Sequence, residues 1–418
     1  MSRVHPTIDS QYKLRDVASC RGDFPALDQQ INGHSLVYLD SAASSQQPAV
    51  VIDAIAAYQR HSHANVHRGV HTLSHRATDA YEGARDDIAA FLNASSRREI
   101  VFTSGTTDGI NLVAQSFCRP KLGPGKRIVI SHLEHHSNIV PWQLVCEQTG
   151  AELTVAPIND RGEVLLDELY ALLDETVTLL AITHVSNALG TVMPLADIVR
   201  TAHERDIPVL VDGAQAAPHL ALDMQALDVD FYALSAHKMY GPTGIGVLFG
   251  KERLLEAMPP WKGGGDMILE VRFSGTVYNE LPYKFEAGTP NISGVAGLGA
   301  TVRYLQDFGM ANIARHEAGL LAYLMSELGK VDGIRLYGTA ATKASVQSFL
   351  IKEIHPHDLG TILDHHGVAI RTGHHCAMPV MEFFDVPGTA RASLGMYNNR
   401  DDVDRLVAAL NKAVELFR

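Results

Sequence analysis

Val229-Asp-Phe-Tyr-Ala-Leu-Ser235-Ala-His-Lys238-Met-Tyr-Gly-Pro-Thr-Gly-Ile-Gly246 joins an apolar run to a lysine and then to a glycine-rich turn. Val229 to Leu234 reads as a short buried strand that delivers Lys238 to a strand end, where ligands sit in open α/β sheets. A lone lysine is usually a solvated charge. An amine desolvated in such a place, however, loses its proton readily and can form a Schiff base with a carbonyl compound. Lys238 is thus a candidate anchor whose corroboration must come from the rest of the chain.

The first support is Ile207-Pro-Val-Leu-Val-Asp212-Gly-Ala-Gln215, another hydrophobic strand, ending in a carboxylate. Burying an unpartnered carboxylate is costly, so Asp212 is expected to face a cation, although a helix N-cap is the bland alternative. It precedes Lys238 by 26 residues, enough for one helix and one strand, so neighbouring strand ends can bring the two together.

Strand and helix alternate from Leu36 to about Phe249, which predicts an α/β fold with a mostly parallel sheet and helices on both faces. Helices are expected at Pro48 to Tyr58, Thr78 to Asn93, Ile110 to Phe117 and Leu195 to Arg205. Met258 to Gly288 reads as irregular loop. A long helix follows from about Ser293, and the remainder has α+β texture. The expected division is a large domain over residues 36–292 and a smaller one formed by 1–35 with 293–418.

Three further stretches carry chemistry. The strand Glu99 to Thr103 runs into Ser-Gly105-Thr106-Thr107, a strand, small-residue turn and helix that suits an anion. His135 and His136 follow the strand Arg127 to Ser131, where one imidazole can stack on a planar group or serve as acid or base. Cys376 sits in Arg371-Thr-Gly-His374-His375-Cys376-Ala-Met378-Pro379, unlike Cys20, Cys118 and Cys146, which read as buried hydrophobes. Arg391, amid small residues, suits a two-pronged grip on a carboxylate. His67, His71 and His75 have spacings of four, but Gly69 interrupts the helix and no carboxylate or thiol completes a metal set.

Bulk composition narrows the field. A net charge of −12 with no basic run disfavours a nucleic-acid surface. No stretch approaches a membrane span, and Met1 to Phe24 lacks the apolar centre of a signal peptide. The four scattered cysteines argue against a disulfide framework or zinc knuckle. A cytoplasmic enzyme is the expectation.

Together these residues resemble the fold type I pyridoxal-phosphate enzymes, and within them the SufS-type group II cysteine desulfurases. The resemblance runs from Leu39-Asp-Ser-Ala-Ala43 to the terminal helix and is most specific at Val66 to Ser74, Glu134-His135-His136, Thr183 to Asn187, Val211 to Gln215, His237 to Gly246 and Arg371 to Pro379. It implies that Lys238 links to pyridoxal 5'-phosphate, Asp212 keeps the ring nitrogen protonated, Gln215 bonds the ring oxygen and His135 stacks on the ring. Thr106, Thr107, Ser235 and His237 match phosphate ligands, with Thr289 supplied by the second subunit of a homodimer. Asn187, Arg371 and Arg391 match substrate-carboxylate positions, His67 lies near the substrate, and Cys376 matches the nucleophile.

The implied reaction converts L-cysteine to L-alanine and leaves a persulfide on Cys376. A SufE- or SufU-like acceptor would carry that sulfur towards a SufBCD-type scaffold for iron–sulfur cluster assembly, and L-selenocysteine is an expected alternative substrate. Ser104, Asp108 and Ala236 depart from close relatives at flanking positions only. The nearest alternatives are a CsdA-like desulfurase, disfavoured by His374-His375-Cys376-Ala-Met378, and a kynureninase-like enzyme, disfavoured by Cys376. A nucleotide module is disfavoured by the absence of G-x-G-x-x-G and of a P-loop lysine.

Overall fold

The computed structural model describes residues 14–418. The part of the N-terminal reading that concerns Met1 to Lys13 lies outside the described residues. Seven strands form the central sheet: Ile100–Thr103 (β1), Arg127–Ser131 (β2), Glu152–Ala156 (β3), Val177–Thr183 (β4), Val209–Asp212 (β5), Phe231–Ser235 (β6) and Gly246–Gly250 (β7). Their order is β1-β7-β6-β5-β4-β2-β3. The pairs from β6 to β3 are all parallel, whereas β7 runs antiparallel to both β1 and β6. Every residue of β1, β5, β6 and β7 is buried, as expected for strands covered on both faces.

Helices cover the sheet where the apolar periodicity predicts, with several shifts. Ala49–His61 (α1) extends three residues past its expected end. The second helix, Thr72–Phe91 (α2), begins six residues earlier than expected, because His71 caps it by accepting from Ser74 N at 3.2 Å. The third, Thr106–Val113 (α3), starts at the Gly-Thr-Thr turn itself, and its expected continuation to Phe117 is instead a π-helical segment, Ala114–Cys118. Met258 to Gly288 is not wholly irregular: it contains the hairpin Ile268–Arg272 with Gly275–Tyr278.

The helix Ile292–Phe308 (α4) packs against α1 and α2, alongside the large sheet, although the sequence places its start in the smaller unit. A separate apolar core gathers Val37 and Leu39 with side chains between Leu320 and Ala413. Its antiparallel sheet runs Ile334–Tyr337, Val346–Ile351, Thr389–Ser393, Arg371–Gly373 in spatial order. Arg371 lies directly opposite Arg391 in that ladder, and Asp40 bridges to Ser393. Thus the small sheet carries a cationic edge towards the C-terminal ends of the large sheet's strands.

Candidate active site

A cavity of about 290 Å³ lies between these two sheets and is lined by residues from both. Asp212 closes β5, and its Oδ1 accepts from Ala214 N at 3.0 Å. Lys238 ends the turn that follows β6, the strand beside β5. Burial pulls the Lys238 ammonium below the usual lysine range and pushes Asp212 upward, while each favours the other's charged form. The expected carboxylate and lysine therefore line one cavity and feel each other's charge, and the amine is the kind that loses its proton easily.

On the opposite wall, His135 caps the turn His136–Asn138. Its Nδ1 accepts from Ser137 N at 3.0 Å, which leaves the ring proton on Nε2. Burial, then Lys238, holds this imidazole down to about 3, so the ring is neutral. Beneath it the buried Glu134 accepts from Asn138 Nδ2 at 2.6 Å and Thr183 N at 3.0 Å, fixing the loop to β4. Burial raises that carboxyl to about 8 despite its donors.

At the start of α3, Thr106 N donates to Ser235 Oγ at 2.8 Å, and the two hydroxyls lie 2.8 Å apart. Gly105 has φ +145, and Gly246 leaves no room for a Cβ, which would meet Gly105 Cα at 2.5 Å. The glycines let β7 bring the two turns together. Thr107 and His237 complete this end of the cavity, and burial holds the His237 ring down to about 4.

The far end belongs to the small sheet. Arg391 Nη1 donates to Asn187 O at 2.9 Å, and Asn187 Nδ2 donates to His375 O at 2.5 Å. Asp40 accepts from Arg371 Nε and Arg391 Nη2, each at 3.2 Å. Cys376 lines the same cavity on a loop docked against the His135 wall: His136 N donates to Cys376 O at 2.8 Å, and Met378 N to His136 Nε2 at 3.2 Å. Both His375 and Cys376 have left-handed backbones, at φ 53 and 55.

Three expected residues lie elsewhere. Gln215 sits behind the wall, with Nε2 donating to Ala42 O at 2.6 Å. Thr289 lines a separate cavity of about 180 Å³ beside Ser104 and Asp108. His67 binds Glu82 Oε1 at 2.9 Å and packs between Tyr81 and Tyr283. Among the described residues, no group of three or more His, Cys, Asp and Glu side chains is set to hold a metal ion. Sequence reasoning missed Asp40, which braces the two arginines; His375, read there as a neighbour of Cys376, itself lines the cavity. Asp40 ends an apolar strand just as Asp212 does, and that was its available signal.

Residues 37–406 match the family described as aminotransferase class V. The chain belongs to this family. Among class V relatives it is 53% identical over 391 residues to a cysteine desulfurase of Cronobacter sakazakii, spanning 93% of this chain and 96% of that one. The crystal structure of the cysteine desulfurase CsdA from Escherichia coli is similar at TM-score 0.90 and 42% identity, covering 97% of this chain and all of that one. A cysteine desulfurase from Thermococcus onnurineus gives TM-score 0.92 at 36% identity over 97% of this chain. The architecture of this class V member is thus that of the fold type I pyridoxal-phosphate enzymes.

The cavity fits that cofactor. Hydroxyls of Thr106, Thr107 and Ser235 gather at the α3 N-terminus for a phosphate, Asp212 offers a buried carboxylate, and His135 a neutral planar ring. Gln215 Nε2 has a second N–H to spare, while its buried Oε1 has no partner.

Proposed function

We propose that the protein is a pyridoxal-phosphate-dependent cysteine desulfurase of the SufS type. The observation that carries this reading is the position of Cys376, on one wall of the cavity whose other wall holds Lys238 and whose end holds Arg371 and Arg391. A nucleophilic sulfur, an amine base and a carboxylate grip then act on one amino acid.

Pyridoxal phosphate, when bound, supplies an electron sink that weakens the bonds at the substrate α-carbon. Lys238 would hold it, and the same amine would move a proton at that carbon. Asp212 would hold the proton on the ring nitrogen and His135 would cover the ring face. Arg391, Arg371 and Asn187 hold the substrate carboxylate. Cys376 Sγ attacks the substrate sulfur, breaking its bond to carbon; the cysteine sulfur remains as a persulfide on Cys376, and the carbon skeleton, protonated, leaves as L-alanine.

The left-handed loop around Cys376 is short and pinned to His136, which supports delivery of the persulfide to a SufE- or SufU-like acceptor and onward to a SufBCD-type scaffold. Thr289 lies outside the chain's own cavity, which supports a homodimer in which Thr289 of one copy serves the phosphate of the other. L-selenocysteine is a second substrate on the same geometry, and the cytoplasm is the proposed location. His67, paired with Glu82, is proposed to lie near the substrate.

The test is the visible spectrum of the purified protein before and after L-cysteine, with alanine and sulfide assayed with and without a SufE-like acceptor. Cys376→Ala is expected to keep the cofactor's absorption and form no sulfide. Undiminished sulfide release by that variant eliminates the reading.

A further inference from the structure

Tyr240 follows Lys238 by two residues, is fully buried, and has a left-handed backbone at φ 69. A bulky residue adopts that conformation only where its surroundings impose it. Here they grip it at both ends. Tyr240 N donates to Ser45 Oγ at 2.6 Å, and Ser45 N and Oγ donate to His237 O at 2.9 and 3.1 Å. The Tyr240 hydroxyl accepts from Met396 N at 2.9 Å and donates to Glu317 Oε1 at 3.4 Å.

Glu317 belongs to the helix Met310–Leu328 of the smaller unit and is 2% exposed. Its other oxygen, Oε2, accepts from Ser345 Oγ at 2.9 Å and lies 2.7 Å from His219 Nδ1. A carboxylate buried this deeply is stable only when paired and hydrogen-bonded. Its partners come from the segment behind Asp212, the segment behind Lys238 and the entry to the small sheet. Lys238, which lines the cavity, lies in a closed turn: Met239 N and Gly241 N both donate to Ala236 O at 2.9 Å. Movement of Tyr240 is therefore passed to the lysine through a hydrogen-bonded turn, and a misplacement of about 1 Å in a reacting group can cost about 10²-fold in rate.

We propose that Tyr240, clamped between Ser45 and Glu317, is a positioning residue for Lys238: the clamp fixes the turn that presents the amine and ties it to the unit carrying Arg371, Arg391 and Cys376. This rests on the desulfurase reading and names what holds its base in place.

The test compares three hydroxyl deletions in the holoenzyme. Tyr240→Phe and Ser45→Ala each remove one side of the clamp, whereas Ser345→Ala removes a bond to the same carboxylate without touching the lysine's turn. Each variant is measured for melting temperature, for kcat and KM with L-cysteine, and for the pH midpoint of the bound cofactor's visible band, which senses the Lys238 nitrogen. Tyr240→Phe and Ser45→Ala are expected to lower kcat about tenfold, the size of one lost hydrogen bond, and to displace the midpoint, with KM within about threefold of the wild type. Ser345→Ala is expected to lower the melting temperature alone. Unchanged kcat and midpoint in either clamp variant, or equal changes in Ser345→Ala, overturns the proposal. Should Tyr240→Phe fail to retain cofactor, the two serine variants decide it. Wild-type protein that makes no alanine from L-cysteine would defeat the desulfurase reading instead, and the band midpoints would still judge the clamp.

Discussion

The Asp40 carboxylate lies 3.2 Å from Nη2 of Arg391, a residue with 1% of its surface exposed. Burial lowers Arg391 to about 10, and Asp40 opposes that shift. Removing one member of a buried pair leaves an uncompensated charge, at a cost of about 3–5 kcal/mol. Asp40→Ala should therefore lose about 3 kcal/mol of stability in denaturant unfolding. Added 3-mercaptopropionate should raise its melting temperature more than that of the wild type, because the ligand's carboxylate replaces the missing one.

Lys238 is the base in the proposed reaction, and positioned acid–base groups contribute about 10²–10⁴-fold. Lys238→Ala should reduce alanine formation by at least about 10²-fold. Added methylamine should restore part of it, since a small amine can occupy the vacated space.

His184 is buried outside the cavity, with Nδ1 2.9 Å from the Tyr232 hydroxyl, and burial lowers it to about 4. Unfolded histidine titrates near about 6.5, so between that pH and about 4 the unfolded chain binds the extra proton. Stability should fall as pH drops through this window. His184→Leu should flatten the slope by up to about 1.4 kcal/mol per pH unit, measured by urea unfolding at a series of pH values.

Gly190 has φ +76, and a Cβ there would meet Val346 O at 2.6 Å and Ala344 O at 2.9 Å. Backbone atoms cannot step aside as a flexible side chain does. Gly190→Ala should lose more than about 1 kcal/mol. Because the neighbouring Asn187 accepts from Arg391 Nη1 with its carbonyl and donates to His375 O with its amide, KM for L-cysteine should rise with it.

The strands ending at Asp212 and leading to Lys238 were legible because an apolar run closed by a charge is costly without a reason. The start of α2 was not, because its cap is His71 rather than Ser, Thr, Asp or Asn. The hairpin at Ile268–Tyr278 escaped because its apolar residues Leu269, Val271 and Val277 are exposed and show no core-facing period. Asp40 meets Arg391 across 351 positions of sequence, a contact made by sheet pairing that no local pattern announces. The reversal of β7 leaves no mark on periodicity, since a strand alternates identically in either direction.

That reversed strand also sets a timetable for synthesis. Among the described residues β1 pairs in the central sheet only with β7, which is made more than a hundred residues later. A ribosome-bound chain that has reached Ser235 holds the lysine's strand but has nowhere to seat Thr106 against it. Because Gly246 to Gly250 lies between two strands made before it, the phosphate end of the cavity cannot be complete until that strand has been synthesised, after the lysine.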